Sequence, residues 1–168
     1  MEKFIEQENS FIQFLTDYKR LIIKVAGIYV QHSEERKDLV QEIILQLWKA
    51  WPRYNPEFAL STWAYRIALN VSISYLRKDK SRKLKHETYE SQWDILQWDN
   101  ENLNKQLEQL YFLLEYLRPI DKALIILSLE GKKNKEIAKV MGMTATNVST
   151  KLQRIKEQLK KQYQQSKD

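Results

Sequence analysis

Seven side chains near the end of the chain carry its strongest chemical signal: Thr146, Asn147, Ser149, Thr150, Lys151, Gln153 and Arg154. They are hydroxyls, amides and long cations, the groups that hydrogen-bond base edges and phosphates of duplex DNA. No carboxylate interrupts them until Glu157, and Lys151 to Lys161 holds five basic residues against that one acid. The segment is therefore drawn to a phosphate backbone.

Such a face needs a helix to present it and a partner helix to fix its angle. From Asn134 the chain reads NKEIAKVMGMTATNVSTKLQRIKEQLKK. Ile137, Ala138 and Met141 make the apolar face of a short helix, with Ala138 small enough for close approach of a second one. Gly142 supplies a turn where a left-handed backbone is easily reached. Thr144 follows as an N-cap, and Val148, Leu152, Ile155 and Leu159 recur at helical spacing beyond it. This is the pattern of a helix-turn-helix, whose second helix enters the major groove. The competing reading is a solvated face of an ordinary α-hairpin.

A second set of groups lies in FALSTWAYRIALNVSISYLRKDKSRK, Phe58 to Lys83. Ser61 or Thr62 can cap a helix containing Trp63, Tyr65, Ile67, Ala68 and Leu69, and Asn70 then interrupts the apolar run. Ser72, Ser74 and Tyr75 lead into Arg77 and Lys78. Small polar groups, an aromatic ring and cations in succession suit single-stranded nucleic acid, held by stacking and phosphate contact. The same aromatics also suit a core, and Trp63 above all is expected there.

A third set lies in DLVQEIILQLWKAW, Asp38 to Trp51. At about 100° per residue, Leu39, Val40, Ile43, Ile44, Leu47, Trp48 and Trp51 fill one half of the wheel. The other half holds Asp38, Gln41, Glu42, Gln46 and Lys49, with Leu45 among them. One exposed Leu is ordinary. An aliphatic centre inside a polar rim is also the anatomy of a small protein interface.

Covalent chemistry finds little support. The 168 residues include no Cys and two His, which removes disulfides, thiolate nucleophiles and the usual zinc sites, so no metal or cofactor is expected. Carboxylate pairs such as Glu34 and Glu35 sit in charged sequence with no nucleophile beside them, and the chain is not read as an enzyme. A net charge of +6 favours a polyanionic partner. No segment approaches the roughly 20 apolar residues of a membrane span, and the start, Met1 to Glu6, is not a secretory signal. A soluble intracellular protein without direct membrane insertion is expected.

The elements that position these groups read as helices throughout. Apolar residues recur at about 3.6-residue spacing with no sustained alternation, which predicts an all-α fold. Helices are predicted over 8–31, 35–51, 61–78, 101–117, 119–130, 134–141 and 145–163. Residues 77–85 carry six positive charges and one negative, whereas Glu87 to Glu101 carries five carboxylates and no cation. That reversal predicts two small helical lobes, 1–85 and 102–168, joined by an acidic linker at 86–101 that includes Trp93 and Trp98. The linker reads equally as a solvated joint or as a functional acidic segment.

Taken together, these segments resemble the extracytoplasmic-function (ECF) group of the bacterial sigma-70 family of RNA polymerase sigma factors. DLVQEIILQLWKAW is similar to the family's core-polymerase-binding helix and FALSTWAYRIALNVSISYLRK to its minus-ten recognition and strand-opening segment. LRPIDKALIILSLEGKKNKEIAKVMGMTATNVSTKLQRIKEQL is similar to its minus-thirty-five-binding lobe. Three motifs in the right order are far more specific than a helix-turn-helix alone.

The resemblance implies partners and roles. Asp38, Gln41, Glu42 and Leu45, with Lys49, would contact the clamp of the polymerase largest subunit. Asn70 matches a family position in a loop that captures a base flipped from the minus-ten element, with Ser72, Tyr75, Arg77 and Lys78 in the same set. Thr146, Asn147, Ser149, Thr150, Lys151, Gln153 and Arg154 would meet minus-thirty-five DNA. Here the chain departs from its relatives, which often have Gly-Thr-Val followed by Lys or Arg where this one has Thr146-Asn147-Val148-Ser149. A hydroxyl replaces a long cation, so the promoter sequence does not carry over. The acidic linker would run through polymerase channels otherwise used by nucleic acid. The resemblance further implies a cytoplasmic bacterial protein and an anti-sigma factor that covers these surfaces. The rivals are a free-standing helix-turn-helix transcription regulator, a helical scaffold, and a nucleic-acid enzyme.

Overall fold

A computed structural model of the chain describes residues 1–83 and 109–165. The predicted acidic linker at 86–101, with Trp93 and Trp98, lies outside the described residues, as does the predicted helix start at 101. Two compact units emerge, Met1–Asp94 and Ile95–Asp168, and each is described on its own. The described residues are helical and contain no strand, as the all-α expectation requires.

The first unit holds α1 (Glu2–Tyr29), α2 (Ser33–Ala50), a short 3-10 turn (Trp51–Arg53) and α3 (Leu60–Lys83). Leu39, Ile43 and Leu47 recur every fourth residue on α2 and are fully buried, because that spacing keeps them on one face. Val25 and Ala26 from α1 and Ala64, Ala68 and Leu69 from α3 are buried in the same unit, and the three helices pack pairwise. Each large aliphatic so buried contributes about 1.5–3 kcal/mol. Where the 3-10 turn redirects the chain, an aromatic cluster closes the unit. Trp51 lies 5.0 Å from Phe14 and 5.7 Å from Trp63, and Phe11 lies 5.0 Å from Trp48. Trp63 thus packs in this aromatic cluster, where it is half-buried.

Several helix bounds differ from expectation, most of all in α3 and α1. α3 runs unbroken to Lys83, since no Gly or Pro stops it after Arg77. It also starts at Leu60, so Ser61 and Thr62 sit inside its first turn while the Ala59 carbonyl accepts the Trp63 N–H at 3.1 Å. α1 begins at Glu2, six residues before the predicted start.

The second unit comprises helical residues 109–115 (α4), α5 (Pro119–Leu129), α6 (Asn134–Met141) and α7 (Ala145–Gln165). Pro119 opens α5 at a position where its missing N–H costs nothing. Arg118 donates to the buried Asp121 carboxylate at 2.8 Å, holding that carboxylate beside the positive end of the helix. Ala123 to Leu127 are buried and pack against both α6 and α7. Ile137, Ala138 and Val140 from α6 meet Val148, Leu152 and Ile155 from α7 in the same core.

Candidate nucleic-acid interface

The turn between α6 and α7 fixes the angle of the DNA-type helix. Gly142 ends α6 in the left-handed region at φ 66°, and the N–H groups of Gly142 and Met143 both bond the Ala138 carbonyl. Thr144 Oγ1 then accepts the Asn147 N–H at 3.2 Å, capping α7 as its sequence position implies. At the other end of α6, the Lys133 N–H donates to the Glu136 carboxylate at 2.7 Å. With Val148, Leu152 and Ile155 turned inward, Thr146, Asn147, Ser149, Thr150, Gln153 and Arg154 are exposed and Lys151 is half-buried. Thr150 Oγ1 bonds the Thr146 carbonyl at 3.1 Å, so its hydroxyl already has one partner inside the helix. Ser149 and Gln153 also line a groove of about 410 Å³ with Asn134, Lys156 and Lys160, which brings two further cations and the start of α6 to the same side.

In the first unit, Asp38, Gln41, Leu45 and Lys49 are exposed on α2 and Glu42 is half-buried. Four of them divide between two grooves, and Lys49 lines neither. On the α1 side, Gln41 and Leu45 join Ile12, Ile44 and Trp48 around a space of about 520 Å³. Leu45 (44% exposed) and Ile12 (60%) both show their methyl groups to solvent there. Leu45 is thus one wall of an apolar groove rather than a lone aliphatic on a polar face. Ile12 escaped the reading of α2 alone because only tertiary packing brings α1 beside it.

On the α3 side, Asp38, Glu42 and Gln46 face Asn70, Val71, Ser74, Tyr75 and Lys78 across a groove of about 600 Å³. Gln46 donates its amide to Glu42 at 2.8 Å. Groups expected to serve two different partners therefore share one groove. Arg66, exposed on α3 one turn before Asn70, continues the same ridge. It was missed because it lies inside the apolar run, although the four-residue steps 66, 70, 74 and 78 point to it.

Two expectations for α3 are corrected. Asn70 is exposed but sits in the middle of α3, not in a loop, because no Gly or Pro interrupts residues 60–83 and the opposite face of the helix, with Ala68, Leu69, Ser72 and Ile73, is buried. Ser72 is 0% exposed, and its Oγ donates to the Ala68 carbonyl at 2.8 Å. Two residues along a helix is a turn of about 200° away from Asn70. The hydroxyl beside Asn70 is that of Ser74, four residues on. Tyr75 is half-buried, and Arg77 and Lys78 are exposed.

Among the described residues, no group of three or more His, Asp or Glu is placed to hold a metal ion, and no helix is long and apolar enough to cross a membrane. In one unit a helix-turn-helix presents an exposed polar face with no carboxylate from Thr146 to Arg154, and in the other α3 presents an exposed ridge of amide, hydroxyl and cationic side chains.

Comparison with known proteins gives the family. Residues 14–82 match the model of sigma-70 region 2 and residues 107–159 that of sigma-70 region 4. The chain is 30% identical over 145 residues to the RNA polymerase sigma factor SigV of Bacillus subtilis, covering 83% of this chain and 82% of that protein. It is 27% identical over 155 residues to the ECF RNA polymerase sigma-E factor of Haemophilus influenzae, covering 84% and 82%. The fold matches CnrH, solved with the cytosolic domain of CnrY, at TM-score 0.68 and 17% identity, over 94% of this chain and 89% of that one. It also matches the sigma factor RpoE of Bartonella quintana, solved with the anti-sigma factor NepR, at TM-score 0.69 and 18% identity, over 90% and 95%. The chain belongs to the ECF group of the sigma-70 family of RNA polymerase sigma factors. Its function is that of a transcription-initiation factor that binds core RNA polymerase and promoter DNA, and it is not an enzyme.

Proposed function

We propose that the α2 ridge of Asp38, Gln41, Glu42, Leu45 and Lys49 docks on the clamp of the polymerase largest subunit. The exposed ridge of α3, with Asn70, Tyr75, Arg77 and Lys78, then holds the opened minus-ten strand, and α7 reads the minus-thirty-five element. Arg66 and Ser74 join the minus-ten set in place of Ser72. Lobes at 1–85 and 102–168 with an acidic linker at 86–101 between them divide the two DNA elements. The protein acts in the bacterial cytoplasm, where core polymerase is found, and is held in check by an anti-sigma factor.

The observation that carries this reading is the exposure of all three polar ridges on helices whose opposite faces are buried. An unpaired base leaves the stack at a cost of a few kcal/mol, which an amide on its edge and cations on its flanking phosphates offset. Asn70, Arg77 and Lys78 supply those groups. A free-standing helix-turn-helix regulator would leave the α2 ridge without a task, and the region 2 match over residues 14–82 speaks against it.

Leu45→Asp tests the docking assignment. A carboxylate in the apolar groove is expected to weaken association with purified core polymerase about tenfold or more, a loss of roughly 1.4 kcal/mol. The thermal melt is expected to stay unchanged, since Leu45 packs in no core. Undiminished co-purification with core polymerase would refute the assignment.

A further inference from the structure

We propose that Glu157 is a positioning residue for the minus-thirty-five element: by holding one hydrogen of the Gln153 amide it turns the rest of that amide toward the bases, and the chain thereby prefers adenine at the base pair that Gln153 faces. This rests on the reading of α7 as the helix that meets minus-thirty-five DNA.

Ser149, Gln153 and Glu157 form one row on α7, each four residues from the next, and all three are exposed along the groove they share with Lys156 and Lys160. Gln153 Nε2 donates to Glu157 Oε1 at 3.3 Å. Among the described residues, no ion pair joins Glu157 to Lys156, Lys160 or Lys161, so its carboxylate is engaged by the amide and not by a neighbouring ammonium. For binding DNA as such, a carboxylate between those cations is a cost, since it repels the phosphates that they attract. Its effect on Gln153 is of another kind.

A side-chain amide has a donor end and an acceptor end of nearly the same shape, and half a turn about its last bond exchanges them. An ionised carboxylate only accepts, so it takes the donor end and repels the other. One amide hydrogen is thereby committed to Glu157, and the second hydrogen and Oε1 are left side by side. Adenine offers the complement in the major groove, its N7 acceptor beside its N6 donor. Guanine puts two acceptors there, one of which would face Oε1. At a rise of about 1.5 Å per residue, Glu157 stands about 6 Å behind Gln153, farther from the end of α7 that enters the groove. It supports the amide from the rear without competing for the base, and the bond gains strength as DNA excludes water from it.

The test uses holoenzyme reconstituted from core polymerase and the full chain, on a promoter that the protein activates, with the minus-thirty-five element randomised and the bound templates sequenced. Wild-type holoenzyme is expected to enrich adenine at one base pair, and Gln153→Ala to lose that enrichment. Glu157→Ala is expected to lower the enrichment at the same base pair about fivefold, the net worth of one hydrogen bond, and to leave the other positions unchanged. Its binding to duplex without the element is expected to rise, because a repelling charge is gone. Glu157→Gln removes the same charge but keeps an acceptor, so it is expected to raise that non-specific binding equally and to retain more of the adenine enrichment. Position 157 is exposed, and both variants are expected to melt as the wild type does. Enrichment untouched by Glu157→Ala, an equal fall in the Ala and Gln variants, or a fall spread over every base pair would overturn the inference while leaving the base contact of Gln153 standing. Adenine enrichment that survives Gln153→Ala, or none in the wild type, would instead refute that contact, and the inference with it.

Discussion

Single side chains on α3 separate a bonding role from a structural one within two residues. The Ser72 hydroxyl is buried and bonded to a carbonyl of its own helix, so it has nothing to offer a DNA strand. Ser72→Ala is expected to shift stability by less than about 1 kcal/mol, the ordinary net worth of one hydrogen bond, and to leave promoter opening unchanged. Asn70→Ala is expected to slow opening, as read by permanganate reactivity of unpaired thymines, while the melting temperature holds. Equal effects of the two changes on opening would contradict the assignment of the exposed ridge. On α7, Arg154 is exposed and long enough for a base edge. A bidentate contact to guanine is worth about 1–3 kcal/mol, so Arg154→Ala is expected to lose that amount at one base-pair position. A uniform loss across promoter variants would instead identify a phosphate contact.

At the scale of the helices, the turn between α6 and α7 decides how the recognition face is aimed. Gly142 stands at φ 66°, a conformation that costs a residue with a Cβ about 1–2 kcal/mol. Thr144 supplies the cap of α7, worth about 1 kcal/mol. Gly142→Ala and Thr144→Ala are each expected to destabilise the second unit by such amounts, measured by denaturant unfolding, with specific DNA affinity falling further than stability alone explains. Both features were legible in the sequence because they depend on local backbone chemistry: a left-handed turn wants Gly, and a cap wants a hydroxyl. Ser72 was grouped with Asn70 although a two-residue step along a helix already turns it about 200° away. The apolar groove around Leu45 was not legible, since Ile12 lies 33 positions earlier and meets α2 only through the packing of α1. The sharing of one groove by Asp38, Glu42 and Asn70 was hidden for the same reason: each helix shows its own ridge, but only their packing places the ridges face to face.

For the molecule as a whole, the net charge of +6 is the remainder of opposed blocks. Cations collect in the later part of the α3 sequence and along α7, where the proposed reading places phosphates, and carboxylates sit on α2, where it places a docked protein. Two small units with separate cores fit a factor that reads two promoter elements and performs no covalent step. The central claim is that these surfaces act together only with core polymerase. The most direct measurement is transcription from the source organism's genomic DNA by purified core RNA polymerase, with and without the protein, with start sites mapped. Added protein is expected to produce initiation at a small set of sites that share upstream elements, and Leu45→Asp to reduce it. Transcripts that are indistinguishable with and without the wild-type protein would contradict the account.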